Sequence, residues 1–129
     1  MASIKRFEDL EIWKLARSFN KEIYPFFQQL RVSDNYELLK QLERSAGSIM
    51  DNIAEGFDRD GNREFLQFLA IAKASAAEVQ SQLYRALDRN LISQESFDNY
   101  TKDCSLIANK IGALMSYLRT SEMSGRKFS

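Results

Sequence analysis

The chain has 129 residues, and its 18 basic and 18 acidic side chains give a formal charge of +0. That length supplies one core without help from disulfides or metals, and a neutral molecule has no overall pull on phosphate or an anionic membrane. Histidine is absent and Cys104 is the single cysteine, which excludes an internal disulfide and a multi-cysteine zinc site and removes the commonest general base and metal ligand.

The start, Met1 to Phe7, carries no apolar leader segment, and no run approaches the roughly 18 apolar residues of a membrane span. A cytoplasmic chain with no membrane insertion is expected. One proline and 5 glycines are too few breakers for many short strands, so helical periodicity is the template to test. In the first segment Trp13, Ala16, Asn20, Ile23, Phe27 and Leu30 recur at intervals of three and four. Ile12, Phe19 and Phe26 run beside them and widen the apolar arc. Pro25 falls inside this pattern and predicts a kink or a break, because it cannot donate to the Lys21 carbonyl.

Arg31 to Asn35 reads as a connection, with Asp34 and Glu37 spaced as a capping box. In the second segment Leu39, Leu42, Ala46, Ile49, Ile53 and Gly56 keep the rhythm, Gly56 serving as terminator or close-contact point. Ser45, Ser48, Asn52, Glu55 and Arg59 make a polar row next to that seam, suited to close helix approach and hydrogen bonds across it. Phe57 to Asn62 is a turn. A third helix starts near Gly61 and runs through Leu69, Ala72, Ala76, Val79, Leu83 and Ala86, its many alanines letting neighbours come close. Ser93 is the expected N-cap of a fourth helix, with Ile92 stapling onto Phe97. Phe97, Tyr100, Cys104, Ile107, Ile111, Leu114 and Leu118 form its seam, which makes Cys104 a core residue rather than a nucleophile. The expected fold is all-α: an antiparallel up-and-down four-helix bundle in a single domain over residues 1–120, followed by a polar tail at 121–129.

Catalysis has few parts to draw on. Asp51 with Glu55, or Asp58 with Asp60, offer carboxylates to Mg²⁺, but two neighbouring acids usually mark a solvated helix end. The chain is expected to be no enzyme and to carry no cofactor and no metal. Two surface features point elsewhere. Lys14, Arg17, Lys21, Tyr24, Gln28 and Arg31 form a stripe at helical spacing that contains no acid, and Arg85 and Arg89 lie one turn apart on the third helix. Such a face can follow a phosphate backbone, with Tyr24 stacking on a base, or it can pair with acids on a neighbouring helix or subunit. Ile12, Phe19, Phe26, Ile71, Leu106 and Tyr117 exceed what a monomeric bundle is expected to bury, which predicts a homo-oligomer.

The run Arg44-x-Ala46-x-Ser48-Ile49-x-x-Asn52-Ile53-Ala54-Glu55-Gly56-Phe57, with Glu64-Phe65-x-x-Phe68-Leu69 and Ser75-x-x-Glu78 after it, resembles the four-helix-bundle proteins named for intervening sequences in 23S ribosomal RNA genes. Phe7-x-Asp9-Leu10-x-Ile12-Trp13 resembles that family's N-terminus, and the likeness covers roughly residues 4 to 119. It implies a bundle with Arg44, Ser48, Asn52, Glu55 and Gly56 as signature positions. Members are similar to the accessory protein of diversity-generating retroelements, which implies a ring-shaped homo-oligomer, a pentamer, and RNA or a nucleoprotein as partner. The chain departs from the family pattern at Met50-Asp51, at Gly61, where a capping serine is common, and at Lys73-Ala74. The alternative is a protein-interaction module with no nucleic-acid role.

Overall fold

The three-four periodicity is realised as four helices, α1 (Glu11–Val32), α2 (Tyr36–Phe57), α3 (Asn62–Asp88) and α4 (Gln94–Ser121), preceded by a 3-10 turn at Phe7–Asp9. The computed structural model describes residues 4–121 and contains no strand among them; the tail expected at 121–129 falls outside these residues except for Ser121, which ends α4. Each helix packs on its neighbour in the chain and α1 closes on α4. Connections of three to five residues leave consecutive helices no option but to run antiparallel, up and down. The α2–α3 contact is the most extensive and the α1–α4 contact the sparest.

The predicted seams form the core. Ala16, Ile23, Leu42, Ile49, Leu69, Val79, Leu83 and Ile111 are fully buried. Three expectations change. Ile12, Phe19 and Phe26, taken as surplus apolar surface, are only 4%, 1% and 3% exposed, because α1 turns an arc wide enough to meet both α2 and α4 rather than a narrow two-helix seam. In α4 the seam moves from Leu114, half-buried, to buried Met115, since a strict seven-residue repeat drifts about 20° per heptad on a straight helix. Trp13, read as core, is half-buried and sits edge-on to Phe7, with ring centroids 5.2 Å apart.

Helix ends account for the other differences. α1 runs unbroken through Pro25; the proline lies on the exposed side, where solvent can reach the carbonyl it deprives of a donor. The Asp34–Glu37 capping box does not form. Asp34 adopts φ 63 and closes α1 instead: its N–H bonds the Arg31 carbonyl and the Asn35 N–H bonds the Leu30 carbonyl at 2.8 Å, a Schellman termination. Asn90, at φ 58, ends α3 in the same way through the Leu87 and Ala86 carbonyls. α2 does not stop at Gly56 but runs on to Phe57. Gly61, at φ 85, precedes α3 in a conformation that serine adopts only with strain, which accounts for glycine at this cap. Ser93 caps α4 as expected, its Oγ accepting the Ser96 N–H at 3.1 Å.

Candidate functional site

The acid-free stripe of α1 is an exposed edge on the α2 side of that helix. Lys14, Arg17, Lys21, Tyr24 and Gln28 are all exposed. Among the described residues, none of the cations at 14, 17 and 21 pairs with a carboxylate, and Arg17 lies over the Trp13 ring, 5.8 Å from its centroid. Pairing with acids on a neighbouring helix is realised only at the lower end, where Arg31 meets Glu43 of α2 at 3.7 Å. Arg85 and Arg89 do not join this edge. Arg85 donates to the Gln41 side chain at 2.7 Å across the α2–α3 contact, Arg89 is exposed at the end of α3, and α1 has its backbone neighbours in α2 and α4 rather than in α3. The edge adjoins a flank of α2 that carries no charge beyond Glu43. Glu43, Gly47, Met50 and Ala54 share one helical side, and the Glu43–Arg31 pair turns that side toward α1. An added side chain at Gly47 would meet nothing within 4 Å, so the flank is shallow there.

The signature residues lie on the other side of α2, against α3. The Asn52 amide donates to the Ser48 carbonyl at 2.9 Å and to Ser48 Oγ at 2.8 Å, staying on its own helix. Ser48 makes the contact across the seam, its hydroxyl 2.8 Å from Ser75 Oγ. Ser75 Oγ also lies 3.0 Å from the Ile71 carbonyl. A carbonyl only accepts, so the Ser75 proton goes to it and the Ser48 hydroxyl donates to Ser75. Exposed Glu55 accepts from Arg59 at 2.7 Å, and the Arg59 guanidinium caps the Phe68 ring at 4.9 Å. Buried Gly56 lets α3 come close: a Cβ there would fall 2.5 Å from the Cβ of Phe68. Arg44 is exposed on the same helix. Ser48, Asn52, Glu55 and Gly56 thus serve packing and local bonding.

On the α4 side of α1 the charge reverses. Exposed Glu22 lies near Asp103 of α4, and its carboxyl is held above the usual range by desolvation and then by the Asp103 charge, with a Ser18 hydrogen bond working the other way. Tyr100, whose hydroxyl donates to the Glu22 carbonyl at 3.4 Å, is pushed up by desolvation and by the same two acids. Nothing in the sequence pairs positions 22 and 103, 81 residues apart; only closure of α4 onto α1 brings them together. Neighbouring Cys104 is fully buried, and its thiol is pushed up to about 12 by burial and by Asp103, which removes it as a nucleophile at neutral pH. Among the described residues no group of three or more His, Cys, Asp or Glu side chains is placed to hold a metal, and no helix is long and apolar enough to cross a membrane.

These features define a four-helix bundle with a close-packed signature helix and one exposed basic edge. The chain belongs to the 23S rRNA-intervening sequence protein family, whose model matches residues 8–113. Among solved structures it is similar to a protein of unknown function of the S23 ribosomal protein family from Bacteroides thetaiotaomicron, with 24% identity and a TM-score of 0.74 over 81% of this chain and 97% of that one. That likeness shows the fold. A comparison with curated proteins finds no match.

Proposed function

We propose that the protein is a non-enzymatic, cytoplasmic scaffold that assembles with copies of itself, as a pentameric ring, and acts as an accessory module. The observation that carries this reading is the pairing of an unsatisfied basic edge with apolar side chains left at the surface: Leu106 and Ile71 stay 45% and 48% exposed after the bundle has closed. Surfaces of that kind mark association. Sedimentation velocity across a range of concentrations is the test. A discrete mass several times 14.9 kDa is expected, and a monomer throughout refutes the scaffold.

A second reading gives the basic edge to RNA or a nucleoprotein. Lys14, Arg17 and Lys21 without acid partners, and Tyr24 exposed among them, favour it. Binding through three phosphate contacts would weaken with salt at a slope of roughly −2 to −3 in log–log form. Titration of a single-stranded RNA probe from low to moderate salt checks it, and no binding at low salt removes the RNA role.

A further inference from the structure

Three hollows follow one another along the seam between α1 and α4, the sparest helix contact of the bundle. At one end Ile4, Leu10, Ala113 and Leu114 border about 480 Å³. At mid-length Leu15, Phe19, Leu106 and Ile107 border about 130 Å³, with Glu22 and Asp103 beside them. At the far end Pro25, Phe26 and Tyr100 face the turn before α4 across about 570 Å³. Together they form a groove following α1, a 22-residue helix about 33 Å long. Its floor is apolar at mid-length, where the acidic pair stands on the rim, while Gln29, Asn90, Ser93 and Ser96 make the far end more polar and Asp9, Glu11 and Lys110 border the near end. Glu22 and Asp103 repel each other there, and no lysine or arginine among the described residues neutralises either; Lys110 is engaged by Glu11 at 3.2 Å.

The matching surface lies on the opposite side of α1. Lys14, Arg17 and Lys21 rim a flank whose apolar part is Trp13, Met50 and Ala54, shallow at Gly47. One surface is apolar with an acidic rim and the other apolar with a basic rim, so the zero net charge conceals two complementary faces. We propose that the α1–α4 groove receives a second copy of this chain, whose Lys14–Arg17–Lys21 edge meets Glu22 and Asp103. This rests on the self-assembly reading and names the surfaces that would carry it. Two different patches meet, so the contact is head-to-tail, and its repetition closes a ring or extends a filament.

Charge reversal tests the pairing directly. Glu22→Lys with Asp103→Lys alters the groove, and Lys14→Glu with Arg17→Glu and Lys21→Glu alters the edge. In sedimentation velocity each set alone is expected to weaken association by at least about tenfold, while the chain carrying both sets assembles again because the reversed faces complement each other. Circular dichroism verifies the helices. Where a reversal unfolds the chain, Glu22→Gln and Lys21→Gln replace it, each expected to weaken association. An oligomer whose mass is unchanged by every substitution overturns this pairing and leaves self-assembly standing, whereas a wild-type monomer removes both. A doubly reversed chain that stays monomeric overturns the pairing. So does an edge reversal that keeps the oligomer but abolishes binding of a polyuridylate probe, since the edge then belongs to RNA.

Discussion

Gly56 shows how one missing atom sets the spacing of two helices. The sequence offers close contact as one of two reasons for this glycine, but not the partner, because the residue that needs the space, Phe68, lies across the Phe57 to Asn62 turn. An alanine methyl would fall 2.5 Å from Phe68 Cβ and 3.1 Å from the Phe65 ring. The first contact is the base of a side chain, not a flexible tip, so a helix must shift. Gly56→Ala is expected to lower stability by about 1–3 kcal/mol, the range for overpacking a filled core, despite alanine's better helix propensity. Urea unfolding measures this, and a variant as stable as the wild type would mean that α2 and α3 separate freely. The serine relay next to it was half legible: Ser48 bonds across the seam as its small polar side chain predicts, while Asn52 does not. An amide one turn from a serine finds the local hydroxyl and carbonyl first.

At the scale of the helix, periodicity located all four elements and most of the core, because burial of one face is what the three-four pattern encodes. Helix ends were less legible. Asp34 has the residue type of an N-cap, and only the chain's need to reverse within three residues decides that it serves as a left-handed C′ residue instead. That position tests the point. Aspartate at φ 63 carries a steric cost that glycine lacks, partly offset by glycine's greater freedom in the unfolded chain. Asp34→Gly is expected to raise stability by about 0.5 kcal/mol, read as a small upward shift in thermal midpoint. An Asp34 acting as a helix cap would give the opposite sign. Pro25 makes the converse point: its cost depends on which side of α1 it occupies, and on the exposed side the helix continues.

For the whole molecule, the decisive property is one that a charge count conceals. The acid-free stripe was legible from spacing on a single helix, whereas the acidic counterpart joins α1 to α4 and exists only once the bundle closes. Glu22 gives this a measurable consequence. Its carboxyl is raised in the folded chain by desolvation and by Asp103, so between the folded and unfolded titrations the folded state binds more protons. Stability of the unassembled chain with respect to this group therefore increases as pH falls through the folded titration, and the penalty is gone below the ordinary glutamate range. Glu22→Gln removes the charge without changing the shape. The variant monomer is expected to be more stable than the wild type at pH 7, with the difference shrinking to nothing toward pH 4, as followed by thermal unfolding under dilute, monomeric conditions. Assembly is expected to respond in the opposite direction, because the carboxylate that strains the lone chain is the group a neighbour's cation would meet. A substitution that stabilised both the monomer and the oligomer would show that nothing positive enters the groove.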